Sequence, residues 1–460
     1  MTTERVGSSL WSPQQRMTTA GLVLLVTMIA FEAMSIGTAL PTMVADLDAE
    51  ALYAWPFTAF LAASVVGTVL AGWLSDTRGP RLPLLVGPAL FTVGLVAAAL
   101  APTMTVLLLG RVLQGLGAGA AAVALYILVA LAYPERDRPA AFGVISAAWV
   151  LPAIVGPTVA GLVTEHASWR LVFGGLVPIM LVAGVLLVPL VRRLPNQPAG
   201  QASTRRGVLA ASAGAAVGLS ALTWAAQNPT GPRPVLVAGL AAVGLLVLVP
   251  SLRRVLPAGT ITARRGLPTV VLSRGLATGA FFAVQAYLPL TLTTVHGLSP
   301  TQAGLPLTVG ALGWSGASAW QGRHPDHPRH RLLRGGFLLL AVALAGTTLV
   351  AFDPVPYWVV LPLWVLAGAG MGLAMPSVSV RLLELSPPQD RGFNSAALQI
   401  WDMLMSAACI GLGGALLVAI ASPAAPTPAV VVLDLSMVAV ALLGAALASR
   451  TRTSADGYAG

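Results

Sequence analysis

The sequence predicts an all-α polytopic membrane protein of fourteen transmembrane helices, and three observations predict it. The first is composition: 460 residues, 56% hydrophobic and 9% charged, a balance no solvated globule has. The second is the division of the chain into fourteen apolar runs, each close to the about 20 residues a span needs. Little length is left for a soluble domain. The third is the placement of positive charge. All 26 basic residues are arginine, and they fall in alternate gaps between the runs. With the N-terminus in the cytoplasm, 22 arginines lie on that side against Arg170 and Arg233 on the other, and Arg111 and Arg274 fall within runs. Positive charge beside membrane helices is retained on the cytoplasmic side.

Each run is read as a helix, because a spanning segment must satisfy its own backbone hydrogen bonds. The first, 18–45, follows Arg16 and is too long for a signal-peptide core, so it is read as a retained span. Then come 53–75, 82–102, 104–132, 139–164 and 169–191. The pair 207–226 and 234–252 stands apart: it holds no acidic residue and is flanked by Arg192, Arg193, Arg205 and Arg206 before and Arg253, Arg254, Arg264 and Arg265 after. Six more follow: 267–295, 302–321, 333–352, 356–382, 393–421 and 426–449. The expected organisation is a six-helix bundle over residues 1–191, a two-helix insert with Arg-rich flanks over 192–266, and a second six-helix bundle over 267–460.

Two short matches suggest that the halves are duplicates. Pro134-Glu-Arg-Asp-Arg138 recurs as Pro388-Gln-Asp-Arg391, and Leu40-Pro41 recurs as Leu288-Pro289. Parallel repeats of this kind are common in transporters.

Several chemistries are excluded. Without lysine there is neither a phosphate-binding P-loop nor a Schiff-base residue. The single Cys409 forms no internal disulfide. The formal charge of +10 is scattered over short loops, which fits the charge rule for membrane loops and not a nucleic-acid surface. His324, His327 and His330 sit among prolines and arginines in a loop, which reads as a solvated charged segment and not a metal site. No catalytic or metal-ligating residue is assigned, and an embedded enzyme would need an acid or histidine cluster at one membrane face.

Four charges sit at bilayer depth, where each costs at least about 2.5–3.5 kcal/mol: Glu32, Arg111, Arg274 and Asp402. Glu32 and Asp402 are candidates to take up and release protons as the protein changes state; the alternative is a hydrogen-bonded packing role. Arg111 either counters a carboxylate or an anionic substrate group, or caps the carbonyls of neighbouring helices. Arg274 is shallow enough to snorkel to the surface. Asp434 reads as a helix-end residue and is set aside. Trp149, Gln114, Gln285, Tyr287, Trp314, Gln399 and Trp401 are candidates for lining a substrate cavity, combining flat apolar faces with polar tips.

Three motifs resemble one family. Gly72-Trp73-Leu74-Ser75-Asp76-Thr77-Arg78-Gly79-Pro80-Arg81 resembles the signature loop of the major facilitator superfamily, with Thr77 where a basic residue is usual and Pro80 also departing. Gly110-Arg111-Val112-Leu113-Gln114-Gly115 resembles the family's fourth-helix motif. Gly143, Gly156, Pro157 and Gly161 resemble its antiporter signature, from which Pro152 and Ala160 depart. Fourteen spans with a central insert look like its drug:proton antiporter branch. The resemblance implies the major facilitator fold, with Gly72, Asp76, Arg78, Gly79 and Arg81 in a gating loop. It also implies proton coupling through Arg111 and, by location, Glu32.

The expected function is a proton-coupled exporter of a small, lipophilic or drug-like molecule, working by alternating access. The rival is an exporter of a sugar, lipid or biosynthetic product. No cofactor is expected beyond the proton as coupling ion. The expected partners are a small-molecule substrate, protons and the lipid bilayer, with no nucleic acid and a monomer favoured. The expected location is a bacterial plasma (inner) membrane with both termini cytoplasmic.

Overall fold

A computed structural model describes residues 10, 12, 15–134, 137–193, 207–228, 234–324, 326–422 and 424–452. Arg205, Arg206 and Arg233, named above, lie outside the described residues, as does part of the segment linking the first bundle to the insert. The helices are α1 (Arg16–Asp46), α2 (Trp55–Arg78), α3 (Arg81–Ala99), α4 (Met104–Ala132) and α5 (Arg138–His166). Next come α6 (Arg170–Gly174), α7 (Val177–Arg193), α8 (Val208–Gln227) and α9 (Pro234–Val255). The remainder are α10 (Leu267–Thr294), α11 (Pro300–Arg323), α12 (Arg329–Leu349), α13 (Val360–Leu385), α14 (Arg391–Ile420) and α15 (Thr427–Leu447).

Two departures from the sequence reading have physical causes. The sixth run is broken into α6 and α7 at Gly174-Gly175, where Pro178 cannot donate to the carbonyl one turn before it. Among the described residues thirteen helical segments are long and apolar enough to cross a membrane, and α11 is the run that falls short. Its polar groups are spent inside the protein: Thr308 meets Thr158 at 2.9 Å, Ser318 donates to the Gly372 carbonyl at 3.1 Å, and Gln321 meets Ser377 at 2.8 Å. A spanning helix can carry such residues when their polar groups are satisfied against neighbouring helices.

In the first half α4 is packed between α2 and α3, and in the second α13 is packed between α11 and α12. Both contacts run on glycines at matched positions. A Cβ at Gly115 or Gly119 would strike α2, and one at Gly117 would strike α3 at Phe91. In the second half Gly368 and Gly372 press on α11 in the same way, and Gly370 on α12 at Gly336. The following turns also match: the amide of Asp137 donates to Pro134 and that of Asp390 to Pro387, both at 2.9 Å. Arg138 Nε reaches the Tyr133 carbonyl at 3.3 Å, and Arg391 Nε the Ser386 carbonyl at 3.4 Å. The duplication suggested by two short sequence matches is thus repeated in backbone geometry.

The halves meet where α5 packs on α11, α1 on α10, and α2 on α14. The insert is not detached from them. α8 packs on α2 and α14 together, burying Ala211, Ala215 and Leu219 with Val65, Ile400 and Leu404. α9 packs on α8 and buries little of its own surface (Gly244, Ser251 and Val255).

Candidate functional site

A cavity of about 260 Å³ is walled by α1, α4 and α5 of the first half and reached by Gln399 of α14 from the second. Leu25 and Ile29 of α1, Leu125 of α4 and Ile145 of α5 give it apolar walls, while Ala118, Ala121 and Ala122 leave it room. Trp149 and Gln399, both expected from the sequence, complete the lining. Leu25, Trp149 and Gln399 all stand within about three helical turns of the arginine-rich ends of their helices. The cavity therefore occupies the half of the molecule nearer the arginine-rich face.

The other half is closed across the seam between the bundles. The Tyr53 hydroxyl donates to the Ala286 carbonyl at 3.0 Å, and Tyr53 and Tyr287 face each other with ring centroids 5.2 Å apart. The Thr301 hydroxyl donates to Glu165 at 2.6 Å. Gly161 rides directly on the Thr301 backbone, and Gly304 on the Pro157 carbonyl. Two of the four antiporter-like positions therefore serve this closure: Gly161 against α11, and Pro157 through its carbonyl. Gly156 faces Ser35 of α1, whereas no described group comes within 4 Å of where a Cβ would sit at Gly143.

One turn from the cavity wall lies a buried polar cluster. Glu32 and Gln114 are 0% exposed and Arg111 is 1% exposed. Arg111 donates through one amino group to Glu32 and to Gln114, and through Nε to the Pro56 carbonyl at 3.0 Å. Its guanidinium lies 4.4 Å from the centre of the Phe60 ring. Arg111 and Gln114 are three apart on α4 and so share a face, and α1 and α2 bring the other partners. Arg111 thus meets both kinds of partner considered for it, a carboxyl group and a backbone carbonyl. The second Glu32 oxygen, the Ser35 and Thr38 hydroxyls and the Gln114 amide nitrogen bond to no described protein group. Glu32, Ser35 and Thr38 make a polar line along one side of α1, running from the cluster towards the closed face.

A second ion pair was not foreseen. Arg274 of α10 holds Asp402 of α14, with Nε at 2.8 Å and a terminal nitrogen at 2.7 Å from the same carboxylate oxygen. Arg274 needs no snorkelling, because its partner lies at the same depth. Both side chains keep about a fifth of their surface exposed, 23% and 19%, unlike the sealed pair at Glu32. Trp401 packs beside them on Gly275 and donates to the Leu272 carbonyl at 3.4 Å.

The other sequence candidates divide. Tyr287 does not line the cavity: it is 1% exposed, and its hydroxyl donates to the Ile410 carbonyl at 2.8 Å. Trp314 is half-buried, edge-on to Phe281 at 5.6 Å, and Gln285 is half-buried on α10. In the expected gating loop Gly79 ends α2 with φ of +85°, a conformation that glycine adopts without strain. Asp76 and Arg81 each make a polar or electrostatic contact, Arg78 is exposed, and Gly72 is open. His324 and His327 pack on Trp320, with centroids 4.7 and 5.2 Å away. Asp434, set aside as a helix-end residue, is instead 1% exposed and seven residues inside α15. Its signal in the sequence was an acid in an otherwise apolar run.

Comparison with known proteins places this architecture. A family model described as Major Facilitator Superfamily matches residues 22–410. An uncharacterized MFS-type transporter of Mycobacterium tuberculosis is 30% identical over 450 residues, which are 93% of this chain and 64% of the relative. The chain thus spans less than two thirds of that relative's length. A "Probable multidrug-efflux transporter" of the same species is 28% identical over 398 residues, 82% of each chain. Among solved structures, a POT family transporter in complex with a thioalcohol-conjugated peptide has a TM-score of 0.70 at 14% identity, covering 97% of this chain and 99% of that one. A bacterial homolog of the human lysosomal transporter Spinster, inward-facing and unoccupied, has a TM-score of 0.66 at 16% identity, covering 96% and 98%.

Proposed function

This chain belongs to the major facilitator superfamily, and from that premise we propose that it is a proton-coupled exporter of a small lipophilic molecule. The observation that carries the reading is the buried Glu32–Arg111–Gln114 cluster, one helical turn from an apolar cavity that presents Trp149 and Gln399. With Glu32 ionised, Arg111 is neutralised and the cavity wall carries no net charge. Protonating Glu32 releases Arg111 from its carboxylate in a site that cannot hydrate it, which favours a rearrangement of α1 against α4. Ser35 and Thr38 extend from Glu32 towards the closed face and supply hydroxyls for a proton arriving from that side. Positive-inside topology makes the arginine-rich face cytoplasmic, so the cavity accepts cargo from the cytoplasm and the proton enters from outside.

The lining favours lipophilic cargo over a sugar, whose hydroxyls would find only Gln399 and the Trp149 indole among many apolar atoms. The efflux name of one relative is consistent with this direction. Asp402 is a second proton-carrier candidate, held by Arg274 in a more solvated position.

The test is transport in sealed proteoliposomes carrying a pH gradient. Glu32→Gln is expected to bind cargo but to lose acceleration by the gradient. Full gradient-driven transport in that variant removes Glu32 from the coupling role.

A further inference from the structure

Asp434 has no place in the coupling scheme above, yet it is the most isolated acid in the described structure. It is 1% exposed, and neither carboxyl oxygen has a hydrogen-bond partner. It lines a small cavity bounded by α10, α12 and α15, with Thr291 and Thr347 among the other walls. By volume the cavity holds about one water molecule. Asp434 is about 10 Å along α15 from Thr427, the end on the arginine-poor side.

The chemistry of the walls is one-sided. The Thr291 hydroxyl donates its proton to the Tyr287 carbonyl at 3.1 Å, and the Thr347 hydroxyl donates to the Ala343 carbonyl at 2.9 Å. Both oxygens are left as acceptors, and the remaining walls are Val284, Leu288, Val350 and Val430. An ionised carboxylate would face acceptors and hydrocarbon alone, with nothing to donate to it. A proton on Asp434 turns the same group into a donor that matches its surroundings.

No charged group on the packed elements supplies compensation. On α10, Arg274 is committed to Asp402 and the Tyr287 hydroxyl to Ile410. On α12 the charges are Arg329, His330, Arg331 and Arg334, all near its opposite end. On α14 they are Arg391 and the paired Asp402, with the Cys409 thiol, and Arg450 follows the far end of α15. His296 stands outside the cavity and meets the carbonyl of Val350, one of its walls, at 2.7 Å. Asp353 and Tyr357 lie in the same loop region.

We propose that Asp434 is a further proton-binding site, distinct from Glu32 and Asp402, seated in the C-terminal bundle and loaded from the arginine-poor face past His296. It is independent of Glu32: the two acids lie in different bundles.

Two measurements on the purified full-length protein test this. Infrared difference spectra stepped from neutral to alkaline pH are expected to show the carbonyl stretch of a protonated, water-poor carboxyl. That band should persist in Glu32→Gln and vanish in Asp434→Asn, with Asp434→Ser as the fallback if the amide does not fold. A spectrum unchanged in the Asp434 variant overturns the proposal, and so does a signal that follows sodium against choline but not pH. The wild-type protein gives a second readout through a hydrophobic carbodiimide, which reacts with protonated carboxyls. An adduct mapped to Asp434 at neutral pH, declining as pH rises, is expected; an adduct that does not change with pH counts against it. Failure of the Glu32 transport test leaves both readouts standing.

Discussion

Arg111 shows why a single side chain sustains this site. Its planar guanidinium meets Glu32, Gln114, the Pro56 carbonyl and the Phe60 face at once. An ammonium is one point charge and cannot span that set. Arg111→Ala strands a fully buried carboxylate and is expected to cost about 3–5 kcal/mol. Pairing it with Glu32→Gln should return most of that stability, because no uncompensated charge remains. Arg111→Lys should fall between the two. Thermal unfolding in detergent measures all four proteins; a double variant no more stable than Arg111→Ala would mean that charge burial is not what holds the cluster. Glu32 and Arg111 were legible as residues out of place in apolar runs. Their pairing was not, since 79 positions separate them and only the packing of α1 on α4 joins them. The Arg274–Asp402 pair was hidden for the same reason, although opposite charges at like depth in two spans of one half were a usable hint.

Glycine spacing decides how closely the helices approach. Gly115, Gly117 and Gly119 turn alternate sides of α4 to α2 and α3, and Gly368, Gly370 and Gly372 repeat the pattern on α13. Under lipid, where apolar burial drives little association between helices, such close approach is the main source of packing energy. The antiporter-like positions behave unequally. Gly161→Val would place branched carbons into the Thr301 backbone, so it is expected to open the seam between α5 and α11 and shift the protein away from the present state. Gly143→Ala meets open space and should be neutral. Spin-label distances across the arginine-poor ends of α5 and α11 report the difference; an unchanged distribution in Gly161→Val would exclude the contact as a closure element. The motif was readable in sequence, but which of its members bear on a neighbour was not.

For the whole molecule, the insert is more than a spacer. α8 lies on α2 and α14 at once and covers the seam at Val65, Ile400 and Leu404, with Thr223 against Gly411 and Gln227 against Gly414. The Gly266 amide donates to the Arg450 carbonyl at 2.8 Å and ties the insert's exit to the turn that follows α15. Deleting 205–266 behind a short linker is therefore expected to lower the melting temperature and the folded yield in fluorescence-detected gel filtration. A deletion as stable as the parent would show that α8 contributes nothing to the seam.

The sequence by itself determined the class, the run count, the alternation of arginine and the motifs of the family, because each follows from local composition and the thickness of a bilayer. It also exposed the charges whose presence in hydrocarbon needs a reason. Only the tertiary structure decided which charges meet, that the cavity lies nearer the arginine-rich face while the other half is shut, and that Tyr287 serves packing and Asp434 sits sealed in a cavity. Those outcomes depend on contacts between helices far apart in the chain, and hydropathy carries no record of which faces will touch.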